Sequence, residues 1–195
     1  LYTFAAGSRQ RRSAQTVYWE LLRSLLSMLA PVLAHTAEEA YLLMPDSSGR
    51  EKSVHLLPWP EYDPTLVDEE LEEKWSRLLE VREQVYRSLE TARQEGLLGT
   101  GLESLVRVYA KEPLLSVLEE MRDQLPEFFI VSQVEIRDIA SYGGVEGKGG
   151  EVEVEIERAV GDKCQRCWNH SPTVGTFSRP DICARCFAVL EENGR

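Results

Sequence analysis

The chain's only cysteines are Cys164, Cys167, Cys183 and Cys186. They form two Cys-x-x-Cys pairs, Lys163-Cys164-Gln165-Arg166-Cys167-Trp168 and Ile182-Cys183-Ala184-Arg185-Cys186-Phe187, with fifteen residues between Cys167 and Cys183. A Cys-x-x-Cys turn points two sulfurs to one side of a tight loop, and two such loops complete a tetrahedron around Zn²⁺. Four thiolates leave no position for a substrate or a water, so the metal implied is one structural Zn²⁺. Two disulfides or a redox-active pair are the competing uses of the same residues. Zinc is favoured because every cysteine lies in one short segment and nothing else in the chain has a secreted or thioredoxin-like pattern.

The residues beside these ligands are suited to binding. Arg166 and Arg185 occupy the interiors of the two knuckles, Lys163 precedes the first, and Arg179 lies between them. Trp168 directly follows a ligand. Exposed, it can stack on an unpaired RNA base while Lys163, Arg166, Arg179 and Arg185 hold phosphates or base edges. Buried, it and Phe187 would be the miniature core that a zinc knuckle needs. Phe187 is assigned to that core, and both readings stand for Trp168. His170 follows Cys167 by three residues, but four cysteines already fill the tetrahedron, so it is assigned to the surface or to a supporting hydrogen bond. His35 and His55 have no ligand-spaced partner. No nucleophile elbow or His-Glu-x-x-His occurs, so no catalytic residue is assigned.

Several classes are limited by composition. The 195 residues are 43% hydrophobic, enough for one large or two small cores. The net charge of −11 opposes wholesale phosphate binding. Charge is nevertheless uneven: Arg9, Arg11, Arg12 and Arg23 face only Glu20 near the start, while Asp68, Glu69, Glu70, Glu72 and Glu73 form an acidic run. The apolar stretch 21–33 is broken by Arg23, Ser24 and Ser27 and is too short for a bilayer. No signal-peptide pattern opens the chain, so a cytoplasmic protein is expected. The first residue is Leu1 rather than Met, which suggests a fragment or processed product.

The elements that must position the cysteines are set out by periodicity. A helix starts near Ser8, with Val17, Leu21, Leu22, Leu25, Met28, Leu29, Val32 and Leu33 on an apolar stripe that Pro31 kinks or divides. A second helix starts at Thr36 with Glu39 completing a capping box, and ends at Leu43. Residues 46–49 read as a turn, and the prolines of 53–60 as an extended segment. A long helix over 64–94 buries Leu71, Trp75, Leu78, Leu79, Val81, Val85, Leu89 and Ala92, carries Glu73–Arg77 and Glu83–Arg87 pairs, and stops at Gly96. Its acidic clusters read as a solvated face. Strands are expected over 102–110, 128–139 and 151–157, with a helix over 112–124. The glycine-rich 142–150 lacks the spacing and subsequent helix of a phosphate-binding loop, so it reads as a flexible hairpin loop. The fold class is mainly α with α+β: helices, a small three-stranded sheet with a helix, and a four-cysteine zinc finger. The expected domains are 1–98, 99–160 and 161–195.

Several of these stretches resemble one family. Arg11-Arg12-Ser13-Ala14-Gln15-Thr16, Leu29-Ala30-Pro31-Val32-Leu33-Ala34-His35-Thr36-Ala37-Glu38-Glu39, and Ser53-Val54-His55-Leu56 with Trp59-Pro60 are similar to the anticodon-binding helical domain of bacterial isoleucyl-tRNA synthetases. Gly99-Thr100-Gly101-Leu102-Glu103-Ser104 resembles the turn after that domain's long helix, although Leu97-Leu98 stand where the family often has a lysine. The cysteine knuckles resemble the family's C-terminal zinc finger. The resemblance implies a class I anticodon-binding helical bundle, isoleucine tRNA as partner through its anticodon stem-loop, and a monomeric parent that joins isoleucine to tRNA at the expense of ATP. The adenylate-forming motifs His-x-Gly-His and Lys-Met-Ser-Lys-Ser have no counterpart here. ATP would therefore be bound elsewhere in the parent, and this stretch alone is not expected to be active. Formamidopyrimidine-type DNA glycosylases carry a similar finger, which makes a DNA-binding module the alternative. A zinc-stabilised protein-interaction module is a third class.

Overall fold

The computed structural model describes residues 1–45, 50–143 and 150–192. The expected turn at 46–49 and most of the glycine-rich loop, 144–149, lie outside the described residues. The chain divides into two compact units, Leu1–Val67 and Asp68–Arg195.

In the first unit, Ser8 caps helix α1 (Arg9–Leu29), its hydroxyl accepting from the Arg11 N–H at 3.3 Å. The helix ends before Pro31, so the proline divides the helical stretch rather than kinking it. Helix α2 spans Ala34–Leu43. It begins before Thr36, with the Ala37 N–H donating to the Leu33 carbonyl at 2.8 Å, and no side chain caps it. The expected capping box does not form, because Thr36 already lies inside the first turn. Leu26, Ala30, Ala37, Tyr41, Met44 and Val54 make this unit's core. The expected stripe is exposed throughout: Val17, Leu21, Leu22, Leu25, Met28, Leu29, Val32 and Leu33 all face outward, and the one buried residue of α1 is Leu26, which lies outside that stripe. Nor is 53–60 wholly extended, since Val54–Leu56 makes a 3-10 turn. Glu38 causes this by accepting from the Val54 N–H at 2.8 Å and the Ser53 hydroxyl at 2.9 Å. Those two bonds hold its carboxyl below the usual range. Pro58 and Pro60 restrict only residues 57–60.

The second unit begins with Asp68, whose side chain accepts from the Leu71 N–H at 2.9 Å and caps helix α3 (Glu69–Gln94). The helix starts later than expected because Pro64–Leu66 forms a separate 3-10 turn. Leu78, Val81, Val85 and Ala92 are buried, whereas Leu71, Trp75 and Leu79 are exposed. Glu73–Arg77 and Glu83–Arg87 pair at 3.0 and 3.2 Å. Gly96, at φ 74°, ends the helix, with Leu97 N–H donating to Ala92 and Gly96 N–H to Arg93. This is the left-handed termination that glycine allows.

The sheet has order β2-β1-β3. Strand β1 (Ser104–Ala110) runs parallel to β2 (Gln133–Asp138) and antiparallel to β3 (Val152–Arg158). Between β1 and β2 come two helices rather than one, α4 (Leu114–Glu120) and α5 (Leu125–Phe129). Phe128 and Phe129, expected in a strand, are helical because the chain turns only at Ile130, φ 58°, so β2 starts later.

Val106 and Val108 of β1 pack with Leu78, Val81 and Val85 of α3, Leu118, Leu125 and Phe129. Helix α3 therefore shares its core with the sheet, although the sequence reading groups it with the helical domain ahead of 98. The opposite face of the sheet is polar. Arg107 pairs with Glu157 and, at 2.9 Å, with Glu135, while Arg137 meets Glu135 at 2.8 Å and the Tyr109 hydroxyl donates to Glu155 at 2.7 Å.

Candidate metal centre and nucleic-acid interface

Two short strands, β4 (Asp162–Lys163) and β5 (His170–Ser171), pair antiparallel and hold the first knuckle between them. The knuckle closes with Cys164 N–H donating to Asn169 at 2.9 Å and Trp168 N–H to Cys164 at 2.8 Å. The second knuckle runs into helix α6 (Ala184–Glu192), whose N-terminus presents Cys183 and Cys186. A bond from Gln165 N–H to Asp181, 2.9 Å, ties the two knuckles together.

The four sulfurs lie within 4.8 Å of one another, and Cys167 and Cys183 are 3.8 Å apart. A tetrahedron with metal–sulfur bonds of about 2.3 Å has edges of roughly 3.8 Å, far longer than a disulfide. The donor set thus fits Zn²⁺ and no open coordination position. Cys164, Cys183 and Cys186 are buried and Cys167 is half-buried, so the ion would be closed off from solvent. N–H donors reach the sulfurs: Cys183 to Cys164 at 3.3 Å, and the Arg166 guanidinium to Cys186 at 3.5 Å.

Burial pushes the Cys164 thiol up, but the backbone N–H groups of Cys167, Cys183 and Arg166 outweigh it and bring it down to about 6. The same burial drives Cys186 up to about 12 and also raises Cys167. Burial thus opposes the charged form at Cys167 and Cys186, and a dication held by the four sulfurs would supply the compensating charge. This is a structural zinc centre.

The candidate RNA-binding residues separate into two groups. Trp168 is 60% exposed, with the Lys163 ammonium 5.5 Å from its ring centroid. Its backbone is left-handed at φ 67°, a costly conformation for a bulky residue. Trp168 is thus not part of the finger's core. Phe187 is: it stacks on Phe177 at 4.7 Å and packs with the buried ligands and Ile182. Arg179 is exposed on the connection between the knuckles. Arg166 and Arg185, by contrast, are engaged within the protein. Arg166 turns to Cys186, and Arg185 pairs with Glu127 of α5 at 2.8 Å. Burial opposes the Arg185 charge, but the Cys167 sulfur and the Glu127 carboxylate more than restore it.

Sequence reasoning missed what fixes the finger to the sheet. Ser132 accepts from the His170 N–H at 2.7 Å, and the Gln133 amide exchanges bonds with the backbone of Val160 at 2.8 and 3.0 Å. His170 is no ligand, its ring nitrogen lying 3.1 Å from the Gly161 carbonyl. Gly161 adopts φ 92°, and a Cβ there would sit 2.2 Å from the Ser171 carbonyl carbon. A lone glycine just ahead of the first knuckle was the one available signal. Ser132 and Gln133 carry none, since their role depends on which chain segment lies beside them.

Known proteins match this chain in the same two regions. A family described as the anticodon-binding domain of tRNA ligase matches residues 1–110, and one described as a zinc finger found in FPG and IleRS matches 161–189. An isoleucine–tRNA ligase from Carboxydothermus hydrogenoformans is 46% identical over 195 residues, 98% of this chain and 20% of that protein. Isoleucine–tRNA ligases from Natranaerobius thermophilus and Desulforudis audaxviator are 42% and 44% identical, each aligned over 21% of its length and over 100% and 97% of this chain. The chain thus spans about a fifth of the length of these curated relatives. Among the described residues no helix is long and apolar enough to cross a membrane.

Proposed function

Because the chain belongs to the tRNA-ligase anticodon-binding family, we propose that it is the tRNA-binding, C-terminal part of an isoleucine–tRNA ligase. In this reading, residues 1–98 serve the anticodon region, 99–160 form the junction, and 161–195 end the arm with the finger. The rest of the enzyme binds ATP and isoleucine and forms the ester, acting as a monomer in the cytoplasm. The arm's part is to hold the anticodon stem-loop of isoleucine tRNA so that the acceptor end reaches that distant site.

The observation that carries the reading is Trp168. An aromatic ring held outward on a strained backbone, with a lysine ammonium against it, suits a base that is stacked on one side and anchored through its phosphate. The zinc centre and the Gln133 and Ser132 bonds make the platform rigid, so little order remains to be lost on binding. Arg166 and Arg185 serve this platform from within. Arg179 remains an outward-facing cation for a phosphate.

Fluorescence anisotropy of the zinc-loaded chain with isoleucine tRNA, another tRNA and duplex DNA tests this. The expected order is isoleucine tRNA first, with a further loss of roughly tenfold for Trp168→Ala. Preference for duplex DNA would favour the glycosylase-type module and overturn the proposal. Binding to none of the three would favour a protein-interaction role.

A further inference from the structure

Apart from the finger, the second unit contains a cavity of about 350 Å³ where α3 ends and the Gly99–Glu103 turn begins. Leu89, Leu98 and Phe129 make its apolar lining, Tyr86 and Ile130 border it, and Glu90, Arg93 and Thr100 supply polar groups. That is the volume and the mixture of a small-ligand pocket, apolar with a few placed polar atoms. The shape depends on backbone as much as on side chains. Ile130 is left-handed at φ 58° and remains 57% exposed, a costly place for a β-branched residue. Gly101 brings the turn so close that a Cβ there would stand 3.1 Å from the Ile130 carbonyl oxygen.

The Tyr86 ring is held in place by Arg82, whose guanidinium lies 4.8 Å from the ring centroid and donates to the hydroxyl at 3.0 Å. At the rim, Arg93 and Glu90 pair at 3.2 Å, presenting a donor and an acceptor side by side.

We propose that this cavity receives one unpaired nucleobase of the bound tRNA. A base needs a flat apolar slot, an aromatic to lie against, and neighbouring donor and acceptor groups for its Watson–Crick edge. The cavity offers all three through Leu89 and Ile130 at its mouth, over the buried Leu98 and Phe129, with Tyr86 and the Arg93–Glu90 pair beside them. Its exposed rim joins the finger through one short segment. Glu127 meets Arg185, Phe129 and Ile130 line the cavity, and Ser132 and Gln133 hold His170 and Val160. This inference rests on the tRNA-binding proposal.

The test is anisotropy with the isoleucine-tRNA anticodon stem-loop on the full chain and four variants, supported by methyl NMR. Tyr86→Ala and Glu90→Gln should each weaken binding about tenfold, while Tyr86→Phe, which keeps the ring, stays within twofold of the unaltered chain. Both residues are substantially exposed, so unfolding midpoints should stay unchanged. The Leu89, Leu98 and Ile130 methyl signals should shift on adding RNA and stay put with a hairpin whose loop bases are removed. If Tyr86→Ala binds like the unaltered chain while Trp168→Ala, the fourth variant, is weakened, the cavity is not a base site but the tRNA-binding reading stands. If the unaltered chain binds no tRNA, both fall.

Discussion

Phe129 in the sheet unit and Cys186 in the finger are both completely buried, but by different means. Around Phe129 stand Leu78, Val81, Val85, Val106, Leu118 and Leu125, drawn from a long helix, a strand and two short helices. Around Cys186 stand three other sulfurs and a thin apolar shell of Ile182, Val174, Phe187 and Leu190. The first is a core that excludes water by area. The second is too small for that and closes around a charge instead. The two surfaces proposed to meet RNA divide in the same way: Trp168 lies beside the zinc ligands, and the cavity at the end of α3 is walled by the apolar core.

Removing the metal should separate the two regions most sharply. Structural zinc contributes on the order of 10 kcal/mol or more to the order of a small finger. Chelation, or Cys183→Ser, should therefore disorder residues from about the first knuckle onward and abolish Trp168 fluorescence shifts on RNA binding. Amide exchange in α3 and β1 should stay slow. Loss of protection in β1 together with the finger would mean that the two are one cooperative unit, and the comparison would fail.

The converse change is Phe129→Ala. Emptying this site should cost about 3–5 kcal/mol, as large aromatic truncations in closed cores do. Denaturant unfolding of the second unit should shift accordingly, while cysteine protection from alkylation in the zinc-loaded protein holds until that unit melts. A shift below about 1 kcal/mol would show that the core relaxes around the void.

These two regions were also unequally legible in the sequence. The four ligands could be read directly because metal geometry is local: two Cys-x-x-Cys turns constrain their own sulfurs whatever surrounds them. Gly96 as a helix stop and the alternating Glu153–Val154–Glu155–Ile156 strand were equally local signals. Phe128 and Phe129 were not, because a short apolar run suits a strand or a buried helix equally. The stripe on α1 shows a further limit: periodicity marks an apolar face without saying what covers it. Direction was the hardest property to read. Lys163, Arg166 and Arg185 look alike beside the cysteines, yet one lies against Trp168, one on Cys186 and one against Glu127. Only the tertiary placement of α5 and the knuckles separates them.

Acid should expose the same contrast with the smallest energies. In the finger, protons compete with zinc for the sulfurs, so metal affinity falls steadily as pH is lowered. On the sheet's outer face, Glu135 lies between Arg137 and Arg107, whose hydrogen bonds hold its carboxyl below the usual range against a small opposing effect of burial. A carboxylate whose folded value lies below its unfolded value of about 4.3 stabilises the fold above that pH, and the contribution fades as pH falls through the folded value. Glu135 is 40% exposed, so solvent screening keeps the effect under about 1 kcal/mol. Stability measured against pH for Glu135→Gln should thus run slightly below the unaltered chain at neutral pH and converge with it in acid, after the finger has already released its metal. Carboxyl NMR of Glu135 provides the direct check. Titration at or above about 4.3 would mean that the two arginines do not hold it, and that the outer face contributes nothing that acid can remove.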